Sequence, residues 1–187
     1  MIIAERLRTS NRAEYILYMW QVEDLLRSYH LDFDELRSSY LSRFQLPEEQ
    51  SRQTERWYAD LCRMMQEEGL RHGGHLQINK NALTDMEELH RSLLQSSKFP
   101  YYHDLYNRVL PYIVELRAKA KKFSEDGEKP VSSELETCFN ALYGVLLLRM
   151  QGKDISTETE QATKEIGMLL GQLSDYYLQN EKELLEL

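Results

Sequence analysis

An all-α fold, a compact bundle of about seven helices, is predicted by three features of the sequence. Apolar residues recur at three- and four-residue spacing through most of the chain, the period of a helix with one buried face. No segment alternates polar and apolar residues for long enough to make a strand. Only eight Gly and four Pro occur among 187 residues, little material for the many tight turns of an all-β chain. No repeat of fixed period appears, which argues against a solenoid. With 42% hydrophobic and 29% charged residues, the chain carries enough apolar surface for a core without disulfides or a structural metal.

Each helix is marked by its own start and stop signals. Residues 2 to 8 add an early helical turn or lie against the body. The first long helix runs from about Asn11 to Tyr29, with Asn11 as cap and Glu14 three residues on. Asp32 and Glu35 repeat that spacing and open a short helix ending near Phe44. Pro47 belongs in the first turn of the third helix, where a missing N–H costs nothing, with Glu48 and Glu49 favoured by the helix dipole. This helix runs to about Leu70 and is stopped by Gly69-Leu-Arg-His-Gly-Gly74. A fourth spans about Asn81 to Gln95. Phe99-Pro100 opens the fifth, and Pro111 inside its pattern predicts a kink or break near Arg108. Ser124 to Pro130 is the most polar stretch and reads as a mobile loop. Ser133 with Glu136 caps a sixth helix ending at Gly152, and Ser156 or Thr157 starts a seventh that reaches almost to Leu187.

The chain reads as one domain, 1–187, with any subdivision near 96–100 or in the loop 124–131. Arg dominates the basic residues of the first half and Lys those of the second. The net charge of −8 speaks against nucleic acid and anionic membranes as partners. Charges at Glu5, Arg6 and Arg8 interrupt any signal-peptide core, and the longest apolar runs fall far short of the roughly 20 residues that cross a bilayer. Cys62 and Cys138 lack CxxC spacing and read as buried hydrophobes in a reducing compartment. A cytoplasmic protein is expected.

The stretch Ala13-Glu-Tyr-Ile-Leu-Tyr-Met-Trp-Gln-Val-Glu-Asp-Leu-Leu-Arg27 leaves no fully polar face for almost two turns, the pattern of a central helix. Glu23 shares a flank with Trp20 and Arg27. It pairs with Arg27 along the helix, or it is a half-buried carboxylate facing a pocket. The start Met-Ile-Ile-Ala, followed by Ala13 to Leu25, resembles an uncharacterised family of small helical proteins from gut-associated anaerobic bacteria, known as a domain of unknown function. The resemblance is specific over roughly the first 30 residues. It implies an all-helical cytoplasmic bacterial protein and supplies no activity, cofactor or site residue.

Gly144, Gly167 and Gly171 interrupt the last two helices at close to 1 kcal/mol each relative to Ala. They point to close packing between these helices or to a groove floor. Ile166, Leu170, Leu173, Tyr177, Asn180 and Leu184 form a short seam, and Leu184 and Leu185 would be exposed unless a second subunit covers them. A homodimer through this end is expected.

His72, His75, Glu87 and His90 are the metal-ligand candidates, with Glu23 or Asp24 as further carboxylates. Glu87-x-x-His90 has the spacing used in di-iron bundles, but no second such pair exists. No phosphate loop, G-x-S-x-G elbow or HExxH occurs, so no catalytic residue and no cofactor is predicted. Tyr101 and Tyr102 with Phe99, His103 and Tyr106 make an aromatic patch suited to a protein rim. Tyr101, Tyr102, Tyr177, Leu184 and Leu185 are the candidate interaction surface. The sequence thus reads as a non-enzymatic helical module that binds a protein partner or itself. The alternative is a bundle that binds a metal or small ligand, with enzymatic activity left open.

Overall fold

The computed structural model describes residues 2–123, 132–185 and 187. Among them are eight α-helices, one 3-10 turn and no strand. The polar segment 124–131, expected as a mobile loop and as one point of subdivision, lies outside the described residues. The chain forms two compact units, Met1–Ala82 and Leu83–Leu187. Their division falls inside a helix.

In the first unit, α1 (Ile2–Ser10) is the helix that residues 2 to 8 only hinted at, and it packs on α2 (Arg12–Ser28). The Asn11 side chain accepts from the Glu14 amide at 3.1 Å, fixing the start of α2. As its apolar pattern requires, α2 is central. It buries Tyr15, Ile16, Met19, Trp20, Val22, Glu23 and Leu26, where a fully enclosed leucine such as Leu26 contributes roughly 2 kcal/mol. Asp32 caps α3 (Phe33–Ser39), its Oδ1 accepting from the amides of Asp34 and Glu35. α3 stops five residues before Phe44, and a 3-10 turn at Leu41–Arg43 follows. α4 (Glu48–Glu67) begins after Pro47, which stands just outside the helix. Its buried residues Thr54, Tyr58, Leu61, Cys62 and Met65 keep one stripe inward, and α3 packs on it.

α5 (Gln77–Gln95) starts four residues earlier than its pattern suggests. In the second unit, α6 (Pro100–Phe123), α7 (Glu134–Met150) and α8 (Thr157–Glu181) pack pairwise against one another. Leu105, Val109 and Ile113 of α6, Cys138 and Phe139 of α7, and Ile166, Leu170 and Leu173 of α8 are all buried. Ser133 and Ser156 cap α7 and α8 through their hydroxyls. The break predicted near Arg108 is absent, and α6 runs uninterrupted through Pro111. Pro111 and Asn107 lie on the exposed face, where a carbonyl that loses its helical donor can be solvated, so the proline costs the helix little.

The expected close approach at the glycines is also absent. A Cβ placed on Gly144, Gly167 or Gly171 meets nothing within 4 Å. The seam of α8 divides in two: Ile166, Leu170 and Leu173 are spent inside the unit's own core, while Asn180 and Leu184 are exposed.

Four helices end in the same backbone motif, with the residue after the cap in the left-handed region and a 6→1 hydrogen bond behind it. Glycine fills that place after α4 (Gly69) and α7 (Gly152), but His30 (φ 55°) fills it after α2 and Glu183 (φ 56°) after α8. After α2 the next residue, Leu31, is left-handed too (φ 60°). Its amide bonds back to the Leu26 carbonyl at 2.9 Å.

Candidate functional site

The most concentrated polar chemistry of the first unit is built on Glu23. Its side chain projects from α2 with no exposed surface, a position a carboxylate tolerates only when donors replace water. Oε1 accepts from the Leu76 amide at 2.9 Å and from Asn79 Nδ2 at 2.6 Å, and Oε2 lies 2.6 Å from His75 Nδ1. A carboxylate can only accept, so Nδ1 carries the hydrogen. The His75 ring stacks on Trp20, centroids 4.2 Å apart and planes at 15°. The Glu23–Arg27 pair is present at 3.9 Å, but Arg27 is mainly occupied elsewhere. It pairs with Asp24 and donates to the carbonyls of Leu70 (3.1 Å) and Gly74. Together these contacts pin the glycine-rich turn between α4 and α5 to α2.

A cleft of about 360 Å³ opens on the same unit beside the α2–α3 turn. Leu31, Phe33, Ala59 and Cys62 supply its apolar lining, and His30, Asp32, Asp34, Arg63, Gln66 and Arg71 its polar one. The two left-handed residues form one lip. Non-glycine residues in this region cost of order 1–3 kcal/mol each unless surrounding contacts hold them. Here they are held: Arg71 donates to the His30 carbonyl at 3.2 Å, Gln66 donates to that of Leu31 at 2.8 Å, and the Leu31 side chain is buried. Burial, with the Asp32 charge adding to it, pushes the Cys62 thiol up to about 11.

The second unit holds a buried network around His90. Nδ1 meets the Tyr102 hydroxyl at 2.6 Å, Nε2 lies 3.9 Å from Glu134, and the Tyr106 hydroxyl donates to that carboxylate at 2.9 Å. Desolvation lowers the His90 pKa to about 4 against the opposing pull of Glu134, and burial raises Tyr106 to about 12. Glu87 of the same helix turns to Ser133, whose hydroxyl donates to it.

The sequence candidates are therefore distributed. His72 is exposed, His75 is committed to Glu23, and Glu87 and His90 hold separate partners in the other unit. Among the described residues, no group of three or more His, Cys, Asp or Glu is placed to hold a metal ion. Of the proposed surface residues, Tyr101 is 56% and Leu184 69% exposed, while Tyr177 and Leu185 are half-buried. Tyr102 is corrected to a core residue: it is fully buried, its ring packed on His90 and Tyr176 and its hydroxyl satisfied by the imidazole. The cleft residues His30, Arg71 and Cys62 were missed. The one local sign was a helix end at Tyr29 with no glycine to make the turn.

A family model described as Domain of unknown function (DUF4924) matches residues 1–184. The chain belongs to this family. The match extends the likeness seen in the first 30 residues to nearly the whole chain, so both units of the fold fall within DUF4924. No curated protein and no solved structure matches the chain.

Proposed function

We propose that this protein is a non-enzymatic helical module that works by pairing with protein, in the first place with a second copy of itself. The observation that carries this reading is α7. From Thr137 to Leu148 it has no charged residue, and a helix apolar on all sides is ordinarily enclosed on all sides. Yet Leu142, Tyr143, Leu146, Leu147 and Leu148 are only half-buried, and Met150 is 70% exposed. Two copies that each carry −8 repel. A charge-free face adds least to that repulsion, and a two-fold pairing sets this face against itself. Tyr101 and Leu184 remain candidates for the rim. Two buried free cysteines support a reducing, cytoplasmic setting.

Light scattering on the eluting protein tests it. The dimer mass is expected for the native chain, and the monomer mass for Met150→Glu at an unchanged melting temperature. A native chain that stays monomeric at every concentration refutes self-pairing. A second reading, that the chain binds a small polar ligand, is favoured by the cleft with its over-determined lip at His30 and Leu31.

A further inference from the structure

We propose that the cleft beside the α2–α3 turn is a binding site for a small zwitterion, a free α-amino acid with an apolar side chain. This rests on the second reading above, that the cleft takes a small ligand. Its volume, about 360 Å³, lies at the small end of ligand sites. The polar lining is balanced, with Arg63 and Arg71 against Asp32 and Asp34. A simple anion meets the aspartates, and a simple cation meets the arginines. Only a molecule carrying both poles satisfies both sets.

Two of these groups are placed to act. The side-chain hydrogen bonds of Asp32 run through Oδ1, which caps α3, and leave Oδ2 to accept from an ammonium. Arg71 engages the His30 carbonyl through Nη1 alone, leaving Nε and Nη2, the edge that grips a carboxylate. Asp34 and Arg63 are highly exposed, at 87% and 66%, and have partners in Arg37 and Asp60, so they set the field rather than the grip. Phe33 and Ala59, both partly exposed, offer an apolar surface to the side chain, with buried Leu31 and Cys62 behind them. The strained lip is already held by Arg71 and Gln66, so binding has little backbone left to order.

Calorimetric titration of the full chain with L-leucine, 4-methylpentanoate and isopentylamine tests the proposal. The latter two each keep the side chain and one pole. Leucine is expected to bind, with each single-pole analogue weaker by at least about tenfold. Asp32→Asn keeps a capping oxygen while removing the charge, and Arg71→Gln removes the guanidinium. Each is expected to weaken leucine by about tenfold or more, with the melting temperature of Asp32→Asn unchanged. Equal binding of leucine and one analogue, lost in the variants, overturns the zwitterion while leaving the cleft a ligand site. Absence of heat from all three probes at about 10 mM overturns both.

Discussion

The neutral burial of His90 makes the stability of this protein depend on pH in a way that can be isolated. Only 5% of the residue is exposed, and desolvation lowers its pKa from 6.5 to about 4. The folded chain therefore holds a neutral imidazole throughout that interval, while the unfolded chain takes up a proton. Above pH 6.5 neither state binds it, and the contribution of His90 is constant. As pH falls from there to about 4, the unfolded state binds more protons and stability is lost. Below about 4 both states are protonated and the loss is complete, at about 3 kcal/mol for the interval. Urea denaturation of the native chain and of His90→Gln, from about pH 7 to about pH 4, measures this, since all other titrating groups are shared. Both tryptophans, Trp20 and Trp57, lie in the first unit, so far-ultraviolet circular dichroism is the reporter. The stability of the native chain relative to the variant is expected to fall by about 3 kcal/mol on going to acid. Parallel pH curves would refute the argument, because they would mean that the imidazole is already charged, or solvated, in the fold.

Other perturbations follow from the same contacts. Glu23→Ala strands the Leu76 amide, Asn79 and His75 and is expected to cost about 3–5 kcal/mol in denaturant unfolding. Glu23→Gln, which keeps one acceptor oxygen, should cost clearly less. His30→Gly relieves a left-handed L-residue and is expected to raise stability by about 1 kcal/mol net of the chain entropy that glycine adds. A fall would show that the ring itself stabilises the turn. Gly167→Ala enters open space in a helix and should gain up to about 1 kcal/mol, read as a higher melting temperature. Cys62 and Cys138 are buried, with thiols raised to about 11 and about 12. Alkylation with iodoacetamide at neutral pH is expected to be slow in the folded chain and fast in urea. Rapid native modification would contradict their burial.

What could be read from the sequence was what neighbours in sequence decide. The caps at Asn11, Asp32, Ser133 and Ser156 stood out because a short polar side chain answers an amide two or three residues on. The start of α5 did not, because its first amide is capped from nine residues back: Gln77 N–H donates to Glu68 at 2.7 Å. For Glu23 the local spacing offers Arg27, one turn away, or an unspecified pocket. Its strong partners lie 52 to 56 residues on, a separation no local pattern encodes. The cleft was hidden for a similar reason. Its strained lip at His30 and Leu31 is enforced by Gln66 and Arg71, and nothing within the segment announces it. At Gly144, Gly167 and Gly171 the pattern suggested a tight crossing, yet a glycine reports only that a side chain is missing. The identity of whatever fills the space comes from elsewhere.

The turn between α4 and α5 has the composition of a place where a chain is cut or lengthened, with Gly69, Gly73 and Gly74 all at positive φ. Its attachment to Glu23 and Arg27 gives it the opposite character. To present an extended stretch to a protease, the turn must give up its donors to the buried Glu23 carboxylate and its carbonyl contacts with Arg27, at a cost of several kcal/mol. Local opening is then nearly as expensive as unfolding α2, and the two merge into one event. The amides of Leu76 and Gln77 should accordingly exchange with deuterium as slowly as those in the middle of α2. Insertions tolerated by ordinary glycine-rich turns should not be tolerated here.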